Sequence, residues 1–139
     1  MYHKYSQNSM ENKTVIECTL IICGETMVGK SSLVNRLIAD SFNDNQSSTL
    51  NASKQTKEIP LEDATIQFNI VDTPGQERFR SMNKLFYKKA DVVLLIYDII
   101  SERTFSQIKN YWLKEIVNNS INKPSKTIYF YQISYCNCS

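Results

Sequence analysis

Apolar and β-branched residues are concentrated in short runs that predict a sheet with a buried centre. Val15–Cys23 and Val92–Tyr97 contain few charges and lack strict alternation, which is typical of strands covered on both faces. Lys126–Ile133 is rich in β-branched and aromatic residues and predicts a last strand. Thr56–Leu61 and Thr65–Val71 predict two strands joined by a three-residue turn, which indicates an antiparallel hairpin.

Helical spacing of apolar residues is found between these strands. Lys30–Ile38 predicts a helix whose apolar stripe is Leu33, Val34, Leu37 and Ile38. Met82–Lys89 predicts a short second helix. Ser101 is a suitable N-cap for a third helix that runs to about Val117. The buried face of this helix is predicted to contain Phe105, Ile108, Trp112 and Ile116.

The alternation of strands and helices predicts an α/β fold. We expect a mainly parallel sheet with one antiparallel edge hairpin and flanking helices, and loops over residues 40–54 and 72–81. A chain of 139 residues is the size of one domain. We assign residues 1–13 to a polar N-terminal tail, 14–134 to the domain and 135–139 to a C-terminal tail.

Composition narrows the functional classes. The net charge of +2 is too balanced for a nucleic-acid groove or a polybasic membrane patch, so we expect no nucleic-acid partner. Four cysteines do not make a disulfide scaffold in a chain of this length, which favours a reduced, cytoplasmic setting. No apolar run approaches the ~20 residues of a membrane-spanning helix. We expect a monomer.

Glycine is scarce, and its positions indicate one kind of chemistry. Gly24, Gly29 and Gly75 are the three glycines of the chain. The run Gly24–Ser31 fits the pattern G-x-x-x-x-G-K-S and lies between a predicted strand and a predicted helix. In such a loop the backbone N–H groups and the helix N-terminus bind phosphate oxygens. The predicted phosphate-binding residues are Gly24, Thr26, Met27, Val28, Gly29, Lys30, Ser31 and Ser32.

Two side chains of this loop have separate predicted roles. Lys30 supplies a positive charge to the β- and γ-phosphates, and the Ser31 hydroxyl is a candidate ligand for Mg²⁺. A second loop, Asp72–Phe79, follows the predicted strand that ends at Val71. An aspartate there can hold Mg²⁺ through water, the Gly75 N–H can contact a γ-phosphate, and the glutamine that follows can orient an attacking water.

With these two loops the chain resembles the Ras superfamily and, within it, the Rab branch. The resemblance extends from about Val15 to Glu115. It depends on these segments: Gly24–Leu33, Ser48-Thr49, Asp72–Phe79, Phe86-Tyr87-Lys88 and Tyr97-Asp98-Ile99. The two nucleotide loops indicate a GTPase, whereas the Rab assignment depends on the Gly-Gln-Glu-Arg-Phe and Tyr-Asp-Ile runs.

The resemblance implies a six-stranded P-loop NTPase fold that binds GDP and GTP with Mg²⁺ and acts as a molecular switch in vesicle traffic. It implies that Thr49 closes on Mg²⁺ and the γ-phosphate, so that Ser31, Thr49 and Asp72 are the metal-associated residues. Gln76 and Lys30 then have the catalytic roles in GTP hydrolysis. The implied partners are an exchange factor, a GTPase-activating protein and effectors.

One part of the family pattern is absent from this sequence. The family recognises guanine through Asn-Lys-x-Asp after the fifth strand, and no such run occurs here. The later strand and final helix have no counterpart either, which predicts a fold truncated after the fifth strand with uncovered apolar sheet surface. Two alternatives to a working GTPase therefore stand: a non-catalytic pseudo-GTPase interaction module, and a truncated gene product without guanine specificity. A P-loop kinase or ATPase fits the second loop less well.

The final residues bear on membrane attachment. Cys136-Asn137-Cys138-Ser139 has the outline of a prenylation signal, although its middle residues are not aliphatic and no polybasic run precedes it. Prenylation of Cys136 or Cys138 would be the route to a membrane, and would place the chain at the cytosolic face of endomembranes. The alternative is a chance pair of cysteines in the tail.

Overall fold

The structure is a computed structural model that describes residues 13–41, 47–120 and 127–133 of the chain. Both predicted tails, except Lys13, and the cysteines Cys136 and Cys138 lie outside the described residues. No helix among the described residues is long and apolar enough to cross a bilayer.

Five strands of the described chain form one sheet in the order β2-β3-β1-β4-β5. The strands are β1 Thr14–Cys23, β2 Ser53–Pro60, β3 Ala64–Asp72, β4 Val92–Asp98 and β5 Thr127–Ile133. All neighbouring strands are parallel except β2 and β3, which form the antiparallel edge hairpin. The predicted fold class, a mainly parallel α/β sheet with one edge hairpin, is therefore confirmed.

Helical segments connect the strands. They are α1 Lys30–Ala39, a 3₁₀ segment Glu77–Asn83, α2 Lys84–Lys89, α3 Glu102–Gln107, a π turn Ile108–Trp112 and α4 Leu113–Asn119. The predicted first helix is confirmed to within one residue. The parallel pairing of β1 with both β3 and β4 brings the carboxyl ends of all three strands to one edge of the sheet. The loops that follow β1 and β3 therefore meet there.

The prediction that β1 is buried along its length is wrong for its first half. The strand is exposed from Thr14 to Glu17, and only its last three residues are fully buried. The register explains this difference, because β4 pairs with β1 only from Leu20 onward. Apolar residues at this end, such as Ile16 at 49% exposure, lie at the surface.

Two predicted loops contain regular structure. Strand β2 begins at Ser53, inside the predicted loop 40–54, because it pairs with β3 as far as Asp72. The predicted loop 72–81 includes the first part of the 3₁₀ segment, and α2 begins at Lys84 rather than Met82. Sequence periodicity misses a 3₁₀ segment because its three-residue turns do not produce the apolar spacing of an α-helix.

The third predicted helix has one face assigned incorrectly. Ile108, Trp112 and Ile116 are buried as predicted, but Phe105 is 40% exposed and Thr104 is buried instead. Buried residues at Thr104, Ile108, Trp112 and Ile116 are each four apart. In an α-helix each such step advances by roughly 40° around the axis. The wide π turn at Ile108–Trp112 reduces this drift, so the four side chains stay on one face.

The sheet carries a core on each face. The larger core packs α2, α4 and the π turn against the sheet, with Ile21, Leu95 and Trp112 fully buried. The smaller core lies under α1 and contains Ile22, Val28, Val34, Ile70 and Ile96, and the residues at its margin are only partly buried.

The corrected helix face predicts different costs for two truncations. Ile116→Ala removes a fully buried side chain and should lower the free energy of unfolding by about 2–5 kcal/mol. Phe105→Ala removes an exposed ring that contacts Tyr97 at 5.0 Å between centroids, and should cost about 1 kcal/mol. Equilibrium unfolding in urea measures both. Equal losses of unfolding free energy in the two variants would indicate that the Phe105 ring belongs to the core.

Candidate functional site

The loop between β1 and α1 has the backbone shape that the phosphate-loop pattern predicts. Gly24, Met27 and Gly29 all have positive φ, at 146°, 63° and 90°. A Cβ on Gly24 would lie 2.2 Å from the Ile96 carbonyl oxygen, so only glycine allows this close approach to β4. Gly29 is the N-cap of α1, which turns the loop directly into the helix.

Lys30 is held inside this loop. Its side chain is almost fully buried, and its Nζ donates a hydrogen bond to the Glu25 carbonyl oxygen at 2.5 Å. Burial lowers the pKa of Lys30 to about 8, although the negative charge of Asp72 opposes the shift. The ammonium is charged at pH 7 and has no carboxylate bonded to it among the described residues. An anion that enters the loop would therefore gain a desolvated cation.

Three oxygen-bearing side chains meet beside this lysine. The Ser31 hydroxyl bonds to the Thr49 hydroxyl at 2.7 Å and donates a hydrogen bond to Asp72 Oδ2. The second carboxylate oxygen, Asp72 Oδ1, is buried without a hydrogen-bond partner among the described residues. Burial raises the pKa of Asp72, against the lowering effects of the Ser31 hydrogen bond and the Lys30 charge. The cluster thus presents hard oxygen ligands, and one buried carboxylate oxygen among them has no hydrogen-bond partner in the described part of the chain.

These donors fit a magnesium ion. Mg²⁺ in nucleotide sites takes one or two carboxylates, hydroxyls, waters and the phosphates themselves. The described residues contain no cluster of three or more His, Cys, Asp or Glu side chains that could form an all-protein cage. The cluster of Ser31, Thr49 and Asp72 leaves the remaining coordination positions to phosphate and water.

The second loop is packed directly on the phosphate loop. A Cβ on Gly75 would come within 2.5 Å of the Thr26 nitrogen and 2.6 Å of the Glu25 carbonyl oxygen. The structure therefore brings Gly75 to the site. It does not bring Gln76 there, because the Gln76 side-chain oxygen accepts a hydrogen bond from Arg78 Nε at 2.9 Å on the outside of the loop.

The remaining predicted residues have varied surroundings. Val28 is buried in the smaller core, so it contributes backbone rather than side chain to the loop. Thr26 and Ser32 are half-buried. Met27 is 73% exposed, and the Ser48 hydroxyl lies 3.9 Å from its sulfur. This contact brings the segment Ser48-Thr49, which we call the first switch loop, against the phosphate loop.

The sequence interpretation missed one functional candidate, Glu25. Its carboxylate is buried and accepts hydrogen bonds from Arg80 of the 3₁₀ segment, Arg103 of α3 and Trp112 of the π turn. The available signal was that Glu25 is the only acidic residue within the phosphate loop. Trp112, which is buried in the core as predicted, therefore also belongs to a buried polar network.

The burial of Lys30 predicts a pH-dependent stability. Between about pH 8 and 10.5 the folded chain releases the Lys30 proton while the unfolded chain keeps it, so stability rises with pH in this window. The free energy of unfolding of the wild type, measured relative to Lys30→Met, should increase by roughly 3 kcal/mol across it. Urea unfolding at a series of pH values tests this. Parallel curves for the two proteins would contradict a buried, shifted Lys30.

Comparison with known families agrees with this geometry. The Ras family model matches residues 19–130, which include the phosphate loop, the second loop and both cores. The match covers most of the chain and begins within β1. The chain therefore belongs to the Ras family of small GTPase switches.

Proposed function

We propose that this chain is a GTP-binding and GTP-hydrolysing switch of the Rab type that acts in vesicle traffic. The observation that supports it best is the contact of Ser31 with both Thr49 and Asp72. These three residues come from the phosphate loop and from the two loops whose positions would differ between diphosphate and triphosphate states. A site that joins all three has the arrangement of a nucleotide switch.

The chain's own residues would bind the nucleotide as follows. Lys30 exchanges the Glu25 carbonyl for the β- and γ-phosphates, and the Gly75 N–H approaches the γ-phosphate from the second loop. Ser31, Thr49 and Asp72 hold Mg²⁺, which when bound neutralises charge on the phosphates. The buried cation attracts phosphate strongly because it is already desolvated.

Hydrolysis requires Gln76 to turn inward. Its carboxamide is bonded to Arg78, so water orientation needs this hydrogen bond to break first. We therefore expect slow intrinsic hydrolysis, and a role for an activating protein that stabilises the inward position of Gln76.

A surface that would report the nucleotide state lies beside the switch loops. A cavity of about 400 Å³ is lined by residues of β1, β2, β3 and α2. Its lining includes Lys54, Val71 and Phe86, and the Lys54 ammonium lies 5.7 Å from the Phe86 ring centroid. Because β2 follows the first switch loop and α2 follows the second, effectors bound here would detect movement of both. Exchange factors and activating proteins are proposed as further partners.

The Rab assignment and the location of the chain depend on sequence. The Gly75–Phe79 and Tyr97–Ile99 runs support the Rab type. We propose a cytoplasmic chain at the cytosolic face of endomembranes, attached through lipidated Cys136 or Cys138.

A non-catalytic interaction module is the second candidate. Two observations favour it: the sequence lacks Asn-Lys-x-Asp, and Gln76 points toward Arg78 rather than into the site. In that case bound nucleotide would only stabilise the fold. Partners would bind the surface that carries the cavity, and their binding would not depend on which nucleotide is present.

Base preference is the first functional test. Phosphate contacts do not distinguish bases, so the 139-residue chain should bind GTP no more tightly than about 1 µM and prefer it to ATP by less than about tenfold, or ~1.4 kcal/mol. Competition of unlabelled GTP, GDP and ATP against a fluorescent nucleotide at fixed Mg²⁺ measures this. Lys30→Ala should abolish binding, whereas Lys114→Ala, which changes an exposed lysine on α4, should not. Nanomolar GTP binding with strong rejection of ATP would contradict the prediction.

Hydrolysis is the second functional test. Gln76→Leu should slow single-turnover GTP hydrolysis by roughly tenfold, equivalent to ~1.4 kcal/mol of barrier, with little change in affinity. Arg78→Met should have the opposite effect on rate, because it removes the donor that holds Gln76 outside. Unchanged rates in both variants would favour the non-catalytic module.

A further inference from the structure

One buried carboxylate connects three separate elements of the chain. Glu25, in the phosphate loop, accepts hydrogen bonds from Trp112 Nε1 at 3.0 Å and Arg103 Nη1 at 3.1 Å. It also pairs with Arg80 of the 3₁₀ segment. We refer to Glu25, Arg80, Arg103 and Trp112 as the Glu25 cluster. Its members belong to the phosphate loop, to the 3₁₀ segment and to the helical stretch that begins at Glu102. We call the second loop together with the 3₁₀ segment, Asp72–Asn83, the second switch loop.

The two arginines of the cluster occupy different environments. Arg80 is buried, and its guanidinium lies 4.2 Å from the Tyr111 ring centroid and 5.0 Å from that of Trp112. Arg103 has a side chain that is 66% exposed. Arg80 therefore fixes the second switch loop to the interior, whereas Arg103 approaches the same carboxylate from solvent.

The same glutamate contacts the nucleotide site through its backbone. Its carbonyl oxygen accepts the Lys30 hydrogen bond, and Gly75 packs against the Glu25–Thr26 peptide. A phosphate that draws Lys30 away would change the surroundings of the Glu25 carbonyl. The carboxylate of the same residue would transmit that change to Arg80.

The 3₁₀ segment is not fully satisfied in this arrangement. Arg80 Nε and Asn83 Oδ1 are buried without hydrogen-bond partners among the described residues. Each buried polar atom without a partner costs free energy, so these two atoms make the present position of the segment less favourable. A move of the 3₁₀ segment that exposes these two atoms to water would remove this cost.

The second arginine makes such a departure feasible. If Arg80 left alone, a lone buried carboxylate would remain, which is strongly unfavourable. Here Arg103 and Trp112 still contact Glu25, so the carboxylate keeps a cation and an N–H donor. The structure shows the arrangement with both arginines, which we call closed; an open arrangement with Arg103 alone would still leave the carboxylate paired.

We propose that Glu25 and Arg80 are positioning residues that couple the second switch loop to the phosphate loop, with Arg103 stabilising the open arrangement. This inference rests on the proposed nucleotide function. The closed arrangement holds Gly75 on the phosphate loop, where its N–H meets a γ-phosphate. Loss of Arg80 therefore weakens triphosphate binding relative to diphosphate binding, because a diphosphate makes no such contact.

Two matched substitutions test the proposal, because they should shift the equilibrium between the closed and open arrangements in opposite directions. Arg80→Met removes the closed arrangement, and amide hydrogen exchange over residues 75–87 should become about tenfold faster. Arg103→Met removes the same charge from the same carboxylate but disfavours opening, so exchange there should stay unchanged or slow. A purely structural ion-pair cluster would instead make exchange faster in both variants, and that result overturns the proposal.

Nucleotide binding provides the second readout. Arg80→Met should weaken a non-hydrolysable GTP analogue relative to GDP by about tenfold, with GDP affinity within about twofold of wild type, and Arg103→Met should not weaken it. Trp112 is the only tryptophan, so its emission reports the cluster directly and should differ between the GDP and GTP-analogue complexes. An equal loss for both nucleotides in Arg80→Met, or identical emission in the two complexes, argues against the coupling.

The outcomes separate this inference from the proposed function. If the wild type binds neither nucleotide, the nucleotide function fails, and the exchange experiment alone decides whether Arg80 and Arg103 act in opposite directions. If Arg80→Met does not fold, Arg80→Lys replaces it. That variant keeps the charge but loses the planar guanidinium. It should change amide exchange and nucleotide preference in the same direction as Arg80→Met, but by a smaller factor.

Discussion

The burial of Lys30 is the constraint on which the candidate site depends. Its ammonium lies in a loop that a Cβ at Gly24 would displace, and its hydrogen bond goes to a backbone carbonyl rather than to a carboxylate. Burying a cation with such weak compensation is unfavourable in the absence of an anion. Close packing of glycine backbone against β4 and against the second loop keeps the lysine there. The site is therefore preorganised for an anion at the expense of stability.

The larger core and the polar network depend on the same helix. The π turn keeps Ile108, Trp112 and Ile116 on one face, which lets Trp112 fill the core and still present its indole N–H to Glu25. A regular α-helix would rotate these side chains progressively away from one another. An irregular turn in the helix thus serves both packing and hydrogen bonding, and π turns are frequently found at functional positions.

Much of the fold and part of the site were predictable from sequence, for identifiable reasons. Long apolar runs and the phosphate-loop pattern predicted β1, β4 and α1, because spacing and glycine placement are local signals. The contact between Ser31 and Thr49 joins residues 18 apart, and it was expected only through the family resemblance. Glu25 and Arg80 are separated by 55 residues, and nothing local in the sequence pairs one with the other. The predicted burial of Phe105 was wrong because the prediction assumed uninterrupted α-helical periodicity.

The register of the central strand has a consequence for how the chain behaves among other copies. Strand β1 pairs with β3 over its first nine residues, but it pairs with β4 only from Leu20. The Asp91 carboxylate accepts the Thr19 N–H just before that pairing begins. Beside residues 14–17, the described part of the chain therefore places no strand on the β4 side. An open strand edge next to exposed Val15 and Ile16 is a template for intermolecular β-pairing, which the charge of the exposed Glu17 on the same strand opposes.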